Sequence, residues 1–175
     1  MARLLPALLL ALVASAASAQ PGARSNAIYA EGFGAAGLYS FGIERAVLTS
    51  ARGHQLRFRL GVSDWGDEYY SPVDRVLTDR VVSVPVGASA LLSVGRPAGV
   101  PLALEAGAGL VGVRRSGPRL EPGGPDYSLD PYAEVAVRTL PLGRVGLRAG
   151  LTLGGEESGF SGDTSRPVVG VSFGF

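Results

Sequence analysis

The sequence has no cysteine, no lysine and few charged residues of any kind. Without cysteine the chain cannot form disulfides, thiolate metal sites, a cysteine nucleophile or a lipidated cysteine. Charged residues make up 18% of the chain, below the quarter that is usual for a soluble domain. The formal net charge of +1 gives no electrostatic indication of nucleic-acid binding. What the chain has in abundance is apolar residues, at 46%, and glycine, at 26 of 175 residues.

The first 19 residues have the organisation of a cleaved signal peptide. Arg3 supplies the positive n-region, residues 4–13 form an apolar segment, and Ala17-Ser18-Ala19 fits a signal peptidase site. The apolar segment is too short for a comfortable transmembrane helix. The sequence therefore predicts an exported protein with one mature domain, residues 20–175.

No segment of the mature chain is suited to a membrane-spanning helix. The longest stretch without charge, residues 81–95, has only 15 residues and contains Pro85 and Gly87. Apolar residues instead recur at every second position, which is typical of strands with one apolar and one polar or small face. The alternation is clearest in six segments, residues 39–44, 55–62, 102–111, 132–138, 144–153 and 168–175. Two less regular segments, about 26–34 and 81–93, bring the number of predicted strands to eight.

The connections between these segments alternate in length. Long polar segments at 63–80, 114–126 and 154–166 follow the third, fifth and seventh strands, and shorter ones follow the second, fourth and sixth. In a meander this places every long loop at one end. Long loops at one end, short turns at the other and an even strand number indicate an all-β, eight-stranded antiparallel up-and-down transmembrane β-barrel.

The polar face is predicted to line the lumen, which is the reverse of a soluble ligand-binding barrel. This face carries mainly Gly, Ser and Ala, which fit the narrow interior of an eight-stranded barrel. Its charges are mixed in sign, and an unpaired charge in a confined lumen would be costly. We therefore expect a lumen ion-pair network of four carboxylates and five arginines: Glu31, Glu44, Arg57, Arg59, Glu105, Glu134, Arg138, Arg144 and Arg148.

The final segment, 167–175, alternates apolar residues and ends on Phe175. Val171, Phe173 and Phe175 resemble the carboxy-terminal assembly signal of bacterial outer-membrane barrels. Residues 27–32 and 37–45 resemble the opening hairpin of small barrels of the OmpA/OmpX kind, and the resemblance extends over the mature chain. It implies a monomer in the Gram-negative outer membrane, inserted by the barrel-assembly machinery and contacting membrane lipid and lipopolysaccharide. Because no residues follow Phe175, no periplasmic domain is expected.

Two motifs that suggest chemistry have simpler interpretations. Residues 32–37 match G-x-G-x-x-G, but an alternating strand pattern follows in place of the helix that dinucleotide binding requires. They are predicted to form a Gly-rich hairpin. His54 is the only histidine and falls in a short turn, so we expect a solvated side chain and neither a catalytic triad nor a zinc site.

The segment 64–79 combines carboxylates with aromatic residues. It could bind a divalent cation or another ligand at the cell surface, but a solvated acidic loop is the preferred interpretation. Its aromatic residues would then belong to the aromatic girdle at the membrane interface. The predicted girdle consists of Tyr29, Tyr39, Trp65, Tyr69 and Tyr70.

The sequence thus predicts a non-enzymatic outer-membrane barrel with a structural or surface-interaction role, long loops outside the cell, no cofactor and no nucleic-acid partner. A narrow pore or a transporter for small or hydrophobic molecules is the alternative, because the lumen charges could line an aqueous path. A lipid-modifying membrane enzyme is less favoured.

Overall fold

The computed structural model describes residues 26–70, 76–117, 125–139, 144–155 and 165–175, without the side chains at 67–70, 76 and 77. The predicted signal peptide lies outside these residues. Eight antiparallel strands form a closed barrel in which each strand pairs with its sequence neighbours and the last pairs with the first. The predicted fold is confirmed. The strands are β1 (Asn26–Gly32), β2 (Tyr39–Thr49), β3 (Gln55–Tyr70), β4 (Val76–Gly95), β5 (Leu102–Ser116), β6 (Asp126–Thr139), β7 (Val145–Gly154) and β8 (Ser165–Gly174).

The outer surface of the barrel is apolar and its interior is polar. On β7, Leu147 is 59% exposed while its neighbours Gly146 and Arg148 are buried. Because side chains alternate across a strand, the same pattern recurs around the barrel and produces a continuous apolar belt. The belt includes Ile28, Phe41, Phe58, Val62, Val86, Leu92, Leu104, Leu110, Val135, Val137, Leu151, Val169, Val171 and Phe173.

The strands extend further at the loop end than the sequence pattern indicated. Residues 63–80 were expected to form a long polar loop, yet β3 continues to Tyr70 and β4 begins at Val76. Likewise β5 extends to Ser116 and β6 begins at Asp126. Strand pairing uses backbone groups and does not require apolar side chains, so a hairpin can continue after its outward residues have become polar.

The connection between β1 and β2 folds into the loop end of the barrel. Ala35 and Ala36 are almost completely buried, and the turn is held by a hydrogen bond from the Phe33 N–H to the Leu38 carbonyl oxygen at 3.0 Å. Gly37 has a φ of 90°, which favours glycine. The G-x-G-x-x-G segment is therefore a hairpin connection.

The opposite end of the barrel is closed by short turns. One of them contains a single-turn 3-10 helix at Pro97–Gly99. In the part of the chain that the structure describes, no helix is long and apolar enough to cross a membrane.

Candidate functional site in the barrel lumen

Four charged side chains from four strands form a closed ring inside the barrel. Arg59 on β3 contacts Glu31 on β1 at 2.5 Å and Glu134 on β6 at 2.8 Å. Arg148 on β7 contacts the same two carboxylates, each at 2.8 Å. Each guanidinium therefore bridges both carboxylates. The planar five-donor guanidinium suits such bridging better than an ammonium group does.

Four further charges extend this ring into one network. Arg148 Nε donates to Glu105 at 2.9 Å, and Arg138 lies 3.8 Å from the same carboxylate. Arg138 also bonds to Glu44, which accepts from Arg57 at 2.9 Å. The eight side chains are each 7% exposed or less. The structure thus brings eight of the nine predicted network residues together.

Arg144 is the exception, and its predicted place in the lumen is wrong. It lies in the turn immediately before β7 and is exposed. Its guanidinium carbon is 5.7 Å from the centroid of the Phe173 ring on the outer surface. The period-two pattern of β7 does not extend back to a turn residue. The network therefore contains four carboxylates and four arginines and is formally neutral.

Two tyrosines also occupy the lumen. Tyr29, predicted in the aromatic girdle, is instead 8% exposed and faces inward beneath the guanidinium of Arg59, 4.6 Å from its ring centroid. Tyr29 is two residues from Glu31 on β1, so the alternation that places one inside places both inside. Tyr132 has the same relation to Glu134 on β6 and is also buried.

Each tyrosine ring lies against a cross-strand pair of glycines. Gly42 pairs with Gly61, and a Cβ on Gly42 would lie 2.7 Å from Cε1 of Tyr29. Gly87 pairs with Gly109, and a Cβ on Gly109 would lie 2.7 Å from Cε1 of Tyr132. The glycines on the lumen face thus make room for the two rings.

An apolar cluster fills the lumen nearest the loop end. It contains Ala35, Val81, Val111 and Val113 together with Tyr132, and Trp65 packs against it. The prediction that Trp65 belongs to the girdle is therefore wrong: on β3 it has the inward parity of Arg57 and Arg59. Its indole Nε1 is buried without a hydrogen-bond partner among the described residues, as are the hydroxyls of Ser63 and Thr152.

Of the other predicted girdle residues, Tyr39 faces outward and is 40% exposed. It contacts Phe41 edge-on at 5.8 Å between ring centroids, and its hydroxyl donates to the Asp64 carbonyl oxygen. The side chains of Tyr69 and Tyr70 lie outside the described residues. Tyr127 on β6, which the sequence pattern did not single out, is 67% exposed.

Two polar features lie outside the lumen. The exposed Arg80 guanidinium donates two hydrogen bonds to the Asp64 carboxylate at the loop end, and these bonds lower the pKa of that carboxyl. At the turn end, His54 Nδ1 accepts a hydrogen bond from the Ser93 N–H at 3.2 Å. His54 thus links the β2–β3 turn to the end of β4.

The lumen leaves little room for a ligand. The cavity beside the charged network, lined by Tyr29, Glu31, Arg59 and Arg138 among others, has a volume of about 10 Å³, enough for roughly one water molecule. In the described residues no three His, Asp or Glu side chains are grouped so that they could hold a metal ion. The ion-pair network and the two tyrosines can therefore hold the strands together and obstruct the lumen.

Comparison with solved structures gives a match to the N-terminal β-barrel domain of OprF from Pseudomonas aeruginosa. The two chains are 16% identical, the match covers 86% of this chain and 96% of that chain, and the TM-score is 0.48. No protein-family model matches the sequence, and no curated protein matches it.

Proposed function

We propose that this chain is an integral β-barrel of the bacterial outer membrane, exported with a cleaved signal peptide and oriented with its long loops outside the cell. The observation that carries the proposal is the distribution of side chains across the barrel wall. Apolar residues form the outer belt, and the charges that share the transmembrane region are paired inside. A soluble barrel would expose this belt to water, whereas a lipid bilayer favours it.

The proposed role is structural or concerned with surface interactions, and it is not enzymatic. Ion pairs, tyrosines and apolar side chains fill the lumen among the described residues. This supports a stabilising interior in preference to a conducting one. At the loop end, the β3–β4 hairpin offers an extended surface to partners. A narrow pore would require the Arg59 and Arg148 bridges to separate, and no described feature favours that rearrangement.

The last strand is proposed to carry the assembly signal. Val171, Phe173 and Phe175 face outward in one row, and the Phe175 N–H donates to the Asn26 carbonyl oxygen at 3.0 Å where β8 meets β1. We expect deletion of Phe175 to reduce the amount of barrel assembled in cells while leaving refolding in detergent micelles largely intact. Assembly in cells equal to that of the full chain would remove this part of the proposal.

Membrane insertion is tested by cell fractionation and by heat-modifiable gel mobility, in which a folded barrel migrates differently before and after boiling. We expect the folded protein in the outer-membrane fraction. Leu151 is about half exposed, so Leu151→Arg would be tolerated in a soluble barrel but should cost about 2–4 kcal/mol near the bilayer midplane. Leu151→Val is the matched control and should insert normally. A freely soluble, detergent-independent protein that tolerates Leu151→Arg would overturn the proposal.

A further inference from the structure

The charges of the chain are separated along the barrel axis. The segments that form the turn end, 45–56, 92–104 and 139–147, contain four arginines and no Asp or Glu. The lumen network holds four arginines and four glutamates. The loop-end segments 63–83, 111–132 and 154–166 contain eleven carboxylates and six arginines. The turn end is thus formally +4 and the loop end −5, although the chain as a whole is almost neutral.

Large exposed apolar residues lie close in sequence to the turn-end arginines. Arg52, Arg96 and Arg144 are exposed, and Arg45 is half-buried on the outer face of β2. Their sequence neighbours include large exposed apolar residues: Leu48 is 66% exposed and Val94 is 54% exposed. An arginine beside such a residue can place its stem along the apolar surface and its charge at the level of lipid phosphates.

Arg144 shows this arrangement most directly. Its guanidinium lies over the ring of Phe173, and Phe173 belongs to the outward, lipid-facing row of β8. A cation over an aromatic ring that borders the belt is held at the boundary between apolar surface and water. A guanidinium at that depth matches the phosphate group of a lipid in fork geometry and charge.

The outward Arg80 at the loop end has different surroundings. It bonds to the Asp64 carboxylate, and the loop-end segments carry an excess of negative charge. An anionic lipid would therefore be favoured at the turn end and opposed at the loop end.

We propose that the exposed turn-end arginines Arg52, Arg96 and Arg144 bind the phosphate headgroups of anionic phospholipids in the leaflet that faces the short turns. This inference rests on the proposed membrane location. The site anchors the barrel at a fixed depth and draws anionic phospholipid around its periplasmic rim, while the acidic loop end repels it.

The proposal is tested by the composition of the lipids that remain bound to the intact barrel. The protein is reconstituted in bilayer nanodiscs containing equal amounts of phosphatidylcholine and phosphatidylglycerol, and the retained lipids are identified by native mass spectrometry. We expect phosphatidylglycerol to be enriched on the unmodified protein. The triple variant R52Q/R96Q/R144Q should lower that enrichment at least about fivefold, since each arginine near an anionic lipid surface adds to the free energy of lipid binding.

The matched control is R80Q/R114Q, which removes two exposed loop-end arginines and should leave the enrichment unchanged. Heat-modifiable mobility of every variant shows whether it has folded, so a failure to insert is distinguished from a failure to select lipid. No enrichment on the folded, unmodified protein would overturn the proposal. Enrichment that survives the triple variant, or that is lost in the loop-end control, would also overturn it.

Discussion

At the scale of single residues, glycine and tyrosine together determine how the middle of the lumen is filled. An eight-stranded barrel has an interior that is just wide enough for side chains, and two tyrosine rings use most of it at one level. The paired glycines Gly42 and Gly61, and Gly87 and Gly109, provide the space that these rings occupy. Part of the high glycine content is therefore a packing requirement of Tyr29 and Tyr132.

Gly109→Ala tests this packing. The added Cβ would meet the Tyr132 ring and the backbone of β4, so we expect the free energy of unfolding to fall by about 1–3 kcal/mol. Gly112→Ala on the same strand is the matched control, because a Cβ there has nothing within 4 Å. The measurement is urea unfolding in micelles. Equal stability losses in the two variants would contradict the close packing assigned to Gly109 against β4 and the Tyr132 ring.

Glu134→Gln tests the closed ring of charges. Glu134 contacts both Arg59 and Arg148, and removing its charge leaves two buried guanidinium groups with less compensation. Loss of one partner of a buried pair typically costs about 3–5 kcal/mol, and we expect a loss of this size in the same unfolding assay. Asp64→Asn breaks the exposed Arg80 pair instead and should have little effect. Similar losses in both variants would contradict the assigned importance of the ring.

At the scale of the strands, period-two alternation explains which side-chain positions were predicted correctly and which were predicted wrongly. Eight strands, their order and the inward position of eight charged residues follow from alternation and from the lengths of the connections. Tyr29 and Trp65 were misplaced because aromatic residues were assigned to the girdle by type, although their strand parity places them inside. Arg144 was misplaced by extending that parity into a turn.

The lengths of β3 and β4 could not be read from hydropathy, because pairing continues after the outward residues become polar. The fold of the first connection into the barrel was also hidden. Ala35 and Ala36 are small residues in a short segment, and only the tertiary structure shows that both are buried and that Ala35 belongs to the apolar cluster.

The inward position of Trp65 predicts its fluorescence behaviour. Trp65 is the only tryptophan of the chain, so its emission reports on one site. We expect bromine-labelled lipids to quench it weakly, because the barrel wall separates the indole from the acyl chains. The matched variant Trp65→Phe/Tyr39→Trp places the only indole on the outer surface and should be quenched strongly. Equal quenching of the two proteins would return Trp65 to the lipid-facing girdle.

At the scale of the whole molecule, two groups of side chains obstruct the axis of the barrel. The charged network, with Tyr29 packed against Arg59, lies towards the turn end. The apolar cluster, which includes Tyr132, lies with the inward-folded first connection towards the loops. A continuous water path would have to pass both groups. A network that is charged but formally neutral holds the strands together without providing a route for ions.

This arrangement predicts that the reconstituted barrel shows no steady conductance in planar bilayers. Arg148→Ala removes the guanidinium that contacts Glu31, Glu105 and Glu134, so any current that it permits should be cation-selective, since the three carboxylates lose a shared counter-charge. Arg144→Ala is the matched control because Arg144 is exposed outside the lumen, and it should remain silent. Steady, ion-selective openings in the unmodified protein, with a selectivity that changes in Arg148→Ala but not in Arg144→Ala, would establish that the lumen conducts. The filled lumen would then be a closed state of a pore, and the structural role proposed above would have to be abandoned.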